Sequence, residues 1–184
     1  MSVNELTTLL RDPDSTWTER RTRLQGWRGD DACRADAAAG GQRVGPAACA
    51  IGAFAGVALA SPVVLGVVAA TAVVGAVAPN HPFEMVYNAW ASSRGRATLP
   101  PNRAAKRLGC AMGVAFLGGA AVAYAVGATT LGLVLALVLG VTATFVAATG
   151  VCVPSMLFTV LWGAERGAAP GLLSARRSAA PTAR

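Results

Sequence analysis

Between residues 44 and 93, and again between 108 and 164, the chain carries one charged side chain, Glu84. A soluble domain of 184 residues would need a polar face on each helix, and neither interval supplies one. The chain also has a single histidine, and its four cysteines include no Cys-x-x-Cys pair. That absence excludes the usual zinc-ribbon and thioredoxin-type spacings. The scarcity of charge within the apolar intervals argues against an ion or proton pathway built on ionisable side chains.

What remains is long apolar sequence punctuated by basic blocks. All sixteen Lys and Arg residues fall within Met1–Arg43, Arg94–Arg107 and Arg166–Arg184. A run of ~20 apolar residues crosses a bilayer core, and each apolar interval has room for two crossings. The expected fold is therefore all-α: a polytopic membrane protein built as a compact bundle of four transmembrane helices in two hairpins. The spans are read at Val44–Ala60, Pro62–Ala78, Leu108–Val126 and Leu131–Thr149, the first two near the lower length limit. Basic residues beside span ends stay cytoplasmic, which places both termini and the middle block on the inner side of the plasma membrane. No secretory signal is read ahead of the spans, because Met1–Arg43 is polar and charged. The net charge of +7 is assigned to attraction toward anionic lipid and not to nucleic acid, since no nucleic-acid motif accompanies it.

Three regions follow: a polar cytoplasmic arm over 1–43, a four-span domain over 44–163, and a disordered basic tail over 164–184. In the arm, Thr16 and Glu19 have capping-box spacing, and Trp17, Leu24 and Trp27 share a helical face beside Arg20, Arg21, Arg23 and Arg28. A short basic helix on the inner leaflet is one reading; the glycines of Gly29–Gly41 support a disordered arm as the other. Pro82 and Pro154 each turn the chain after a hairpin, giving interfacial helices with Tyr87, Trp90 and Trp162 at headgroup depth. Small residues, namely Gly45, Gly52, Gly56, Gly109, Gly113, Gly118, Gly132 and Gly140, should let helix backbones approach closely. A weak repeat aligns Arg43-Val44-Gly45 with Arg107-Leu108-Gly109 and His81 with Cys152, a parallel duplication related by an axis along the membrane normal.

The chemistry-bearing residues gather at one expected depth. Cys110 begins the third span, Cys152 closes the fourth, and His81 ends the second, with Glu84 one turn further on. A facing thiol pair forms a disulfide if the Cα atoms approach within ~7 Å, and Arg103, Lys106 and Arg107 would favour the thiolate. Two thiolates and an imidazole would also suit a soft metal, although no cofactor is expected. The competing structural account has His81 and Glu84 serving a helix start while both thiols pack as apolar groups, the role also assigned to Cys49.

His81-Pro82-Phe83-Glu84, Tyr87-Asn88, Leu99-Pro100-Pro101-Asn102 with Arg107 and Cys110, and Cys152-Val153-Pro154-Ser155 together resemble the DUF4395 family of bacterial integral membrane proteins. The resemblance spans roughly Arg43 to Gly163. It implies no established activity, but a genetic setting, often actinobacterial, beside thioredoxin-like and sulfurtransferase proteins. That setting would give Cys110 and Cys152 a redox or sulfur-handling role with such a partner. Redox work would face inward, because the outer turns carry neither a cysteine nor a sizeable loop. The alternatives are a structural or assembly subunit of a larger membrane complex without chemistry, and a transporter of small sulfur species. The absence of polar groups within the spans counts against transport.

Overall fold

The computed structural model describes residues 16–27 and 29–162, and among these every regular element is helical. In chain order the helices are α1 (Trp17–Leu24), α2 (Gly29–Ala37), a 3-10 turn at Gly41–Arg43, α3 (Val44–Ala58), α4 (Pro62–Val77), α5 (Pro82–Ser93), α6 (Ala104–Ala125), α7 (Thr129–Thr149) and α8 (Val153–Trp162). The expected tail at 164–184 lies outside the described residues.

Helices α6 and α7, of 22 and 21 residues, are each long and apolar enough to cross a membrane. The first hairpin is different: α3 and α4 have only 15 and 16 residues. Helix α4 reaches spanning length only if joined to α5 across a bend of 69°. By length and composition the described residues therefore hold two candidate spans, or three if that bent pair is one of them. The four expected spans coincide with α3, α4, α6 and α7 to within a few residues. The shortfall arises because Ser61 caps α4 almost as soon as α3 has ended, its hydroxyl accepting from Val64 N–H at 3.3 Å with Pro62 at the first helical position.

The four central helices close on one another in a cycle: α3 packs on α4 and α7, and α6 packs on the same two. Their common core is small-residue packing around Ala53, Leu65, Val68, Ala69, Leu117, Ala120 and Ala136. Close approach is real at four of the eight expected glycines. A Cβ at Gly52 would collide with Val68, and one at Gly56 would stand 2.5 Å from Leu65 Cδ2. At Gly132 it would come within 2.7 Å of the Tyr124 ring, and at Gly140 within 3.1 Å of Phe54. Gly118 is a correction, since nothing lies within 4 Å of a Cβ placed there. Leu135 packs against the core. Thr71, Thr142 and Thr144 return their hydroxyl protons to carbonyls of their own helices at 2.7–2.8 Å, which satisfies these polar groups within apolar sequence.

The N-terminal arm is helical in its described part. The Gly29–Gly41 stretch is ordered into α2 instead of being loose, with Asp30 and Asp31 in its first turn, where carboxylates favour the helix dipole. Helix α1 follows Thr16 as expected, but Leu24 and Trp27 are buried against the protein while Trp17 is 64% exposed. Polar side chains fix this placement: Arg21 donates to Thr149 O and Gln25 to Gly150 O, each at 2.9 Å. Asp31 pairs with Arg103 at 2.7 Å, and Arg34 reaches Thr98. The arm thus lies over the ends of α6 and α7 and over the 94–103 loop.

That loop is held by asparagines. Asn88 exchanges two hydrogen bonds with the backbone of Leu99, at 2.7 and 3.1 Å, and Asn80 donates to Pro100 O at 3.2 Å. Two parts of the Tyr87-Asn88 and Leu99–Asn102 motif are therefore one bracket. Tyr87 lies against Gly41, where a Cβ would overlap its ring. Trp90 is 41% exposed, with the Arg94 and Arg96 guanidinium groups 5.3 and 5.2 Å from its ring centre. The Trp162 side chain falls outside the described residues.

Candidate functional site

Beneath the arm, between α3, α6 and α7, a cavity of about 220 Å³ reaches from the helix ends into the apolar helices. His81, Glu84, Cys110 and Cys152 all line it. The backbone brings them there by three devices. His81 is the residue before α5, with extended backbone, and Pro82 starts the helix immediately after it. Cys110 sits two turns into α6, and Gly150, at φ +70°, ends α7 and turns Cys152 inward ahead of α8.

Glu84 is 1% exposed and does two jobs. One oxygen accepts the His81 backbone N–H at 3.2 Å, and the other pairs with Lys106. Burial of a carboxylate is tolerable only with such compensation. Lys106 is thereby paired with Glu84, and Arg103 with Asp31.

The His81 side chain is 4% exposed, its ring is stacked on Phe83 at 5.3 Å, and among the described residues neither ring nitrogen has a hydrogen-bond partner. Burial lowers its pKa; the Glu84 charge opposes that shift and the Lys106 charge adds to it. The ring is thus biased toward its neutral form, with one nitrogen able to donate and the other to accept.

One thiol, Cys110, lies beside this imidazole, and Cys152 sits against the neighbouring position of α6, Gly109. A Cβ at Gly75 in α4 would lie 2.5 Å from His81 Cδ2 and 2.9 Å from Cys110 Sγ, so the glycine makes room for both side chains at one point. A Cβ at Gly109 would lie 3.5 Å from Cys152 Sγ. Ser155 points its hydroxyl at Cys152 Sγ and at Ala105 O, each at 3.1 Å, and shares one proton between them. All four cysteines are free thiols, with Cys33 exposed on α2 and remote in role from the cavity. Among the described residues no three His, Cys, Asp or Glu side chains are placed to hold a metal ion, which counts against a soft-metal centre.

Three contributors were not assigned to the site from sequence. Cys49, read as packing, lines the cavity together with Gln25 and Trp27 of the arm. Cys49 follows Gly45 by one helical turn, and a Cβ at Gly45 would lie 3.6 Å from Glu84 Oε1 and 3.8 Å from His81 Nδ1. Helical spacing from Gly45 could have flagged Cys49. Nothing in the sequence marks Gln25 and Trp27, because only the arm's docking brings them in.

No curated protein and no solved structure matches the chain. The profile of the family described as a domain of unknown function, DUF4395, matches residues 39–162. That interval contains α3 to α8 and all four thiol and imidazole groups of the cavity, and the chain therefore belongs to the DUF4395 family.

Proposed function

We propose that this is a four-span plasma-membrane protein with cytoplasmic termini, whose Cys110 and Cys152 exchange electrons or sulfur with a thioredoxin-like or sulfurtransferase protein at the inner face. The observation that carries this reading is the convergence of Cys49, Cys110, Cys152 and the unpartnered His81 ring on one cavity. Four such groups in a chain with four cysteines and one histidine are hard to ascribe to packing alone. On this reading the basic blocks 1–43, 94–107 and 166–184 lie on the cytoplasmic side. Thiol exchange proceeds through a thiolate attacking a disulfide sulfur, and His81, biased neutral, is the base beside Cys110 that would take the thiol proton. His81→Ala should then slow alkylation of that thiol.

The test is trapping. Cys152→Ser should leave Cys110 able to hold a thioredoxin-like protein lacking its resolving cysteine as a mixed disulfide, and Cys110→Ser should abolish that adduct. Failure of both single variants to form any adduct, with the protein folded, would leave an assembly role without chemistry.

A further inference from the structure

The cavity has two chemically distinct ends. Its polar end holds His81, the thiols and the Glu84–Lys106 pair, and further along α6 and α7 it is walled by Phe116, Leu117 and Leu139. Met112 of α6 and Val138 of α7 belong to this lining and are also 39% and 47% exposed, so the cavity is open at these two residues. In the four-span reading that opening faces lipid, not water.

The polar end favours a neutral head over an anionic one. Lys106 is the one cation among the described lining residues, and Glu84 already neutralises it, so a carboxylate or phosphate would enter without a counter-ion. His81 instead offers one donor and one acceptor, both buried and unpartnered, and an unpaired buried polar group costs free energy that a ligand can recover.

We propose that the cavity binds a membrane-soluble quinone through the α6/α7 opening, with its ring carbonyl on His81 and its apolar tail left in the lipid, and that Cys110 and Cys152 reduce it. The inference rests on these two thiols being the working pair. In the step, two S–H bonds break and one S–S bond forms; the quinone takes the two electrons and two protons and departs as the quinol. The donor and acceptor on His81 serve both forms, donating to the quinone carbonyl and accepting from the quinol hydroxyl. A thioredoxin-like dithiol then reduces the Cys110–Cys152 disulfide, so electrons run from the cytoplasm to the membrane pool. The lack of outward cysteines does not bear on this inward-facing direction.

The experiment uses the full chain, reduced and reconstituted in phosphatidylcholine nanodiscs without oxygen, with decylubiquinone as the probe. Quenching of tryptophan fluorescence should saturate, one quinol should appear per protein, and two thiols should be lost to maleimide labelling. His81→Ala should weaken binding about tenfold, as expected for one lost hydrogen bond. Val138→Trp, at an exposed position that tolerates bulk, should block the opening and weaken binding by a similar factor. Cys110→Ser with Cys152→Ser should bind the quinone and yield no quinol. Unsaturable quenching, displacement of the quinone by equimolar oleate, or unchanged affinity in both His81→Ala and Val138→Trp would overturn the inference. If the Cys152→Ser adduct still forms in that case, the thiol reading survives alone; quinone reduction without any adduct would instead remove only the thioredoxin-like partner.

Discussion

Gly109 faces the sulfur of Cys152: a Cβ on the glycine would stand 3.5 Å from Sγ. In the first hairpin Gly45 has the same relation to His81, at 3.8 Å from Nδ1. These are the positions that the weak repeat superimposes, Gly45 on Gly109 and His81 on Cys152. The packing follows the same symmetry. Helix α5 packs on α3 as α8 packs on α6, and across the units α4 meets α6 while α7 meets α3. A parallel duplication of the kind the weak repeat suggests would give this pattern. One corner holds an imidazole and the other a thiol.

Topology reporters should separate four spans from two. Fusions in the 94–103 loop should report cytoplasm, and fusions at Ser61 or Gly127 the outside. If only α6 and α7 cross, Ser61 will report cytoplasm as well.

Gly52→Leu should destabilise the protein by ~1–3 kcal/mol through overpacking, because its side chain must displace Val68. Gly118→Leu should be close to neutral, as the space beside it is open. Thermal unfolding in one detergent compares the two. Equal losses would show that the glycine contacts do not set the helix spacing.

Gly150→Ala should release the N-terminal arm. Its φ of +70° disfavours any side chain, and a Cβ there would overlap the Arg21 guanidinium that holds α1 to Thr149. Limited proteolysis within 16–27 should accelerate, with α6 and α7 remaining protected.

Lys106→Met should cost ~3–5 kcal/mol, the usual penalty for stranding a buried charge, since Glu84 is 1% exposed and Lys106 carries its compensation. Adding Glu84→Gln should recover much of that loss. Denaturation midpoints of the single and double variants measure the coupling.

Stability should fall on acidification through His81. Its folded pKa is depressed, chiefly by burial, so an unfolded chain takes up a proton on this ring before the folded protein does. The contribution is complete above the unfolded value of ~6.5 and is lost as pH falls toward the lower folded pKa. His81→Asn should flatten this part of the profile, read as melting temperature against pH.

Composition by itself determined the all-helical class, the apolar intervals and, within a few residues, α3, α4, α6 and α7, because charge exclusion and proline placement are local properties. It also brought His81, Glu84, Cys110 and Cys152 to one depth, because antiparallel helices of similar length return their ends together. Azimuth was beyond it. Which side of α3 carries Cys49 into the cavity, and which glycines meet a neighbour while Gly118 meets none, depends on how helices rotate against one another. The arm shows the same limit: its Gly-rich, polar sequence satisfies either disorder or order, and only hydrogen bonds from Arg21 and Gln25 to carbonyls more than a hundred residues away decide for order. Long-range partners of that kind leave no periodicity in the chain, so the cover over the cavity is a property of the tertiary structure alone.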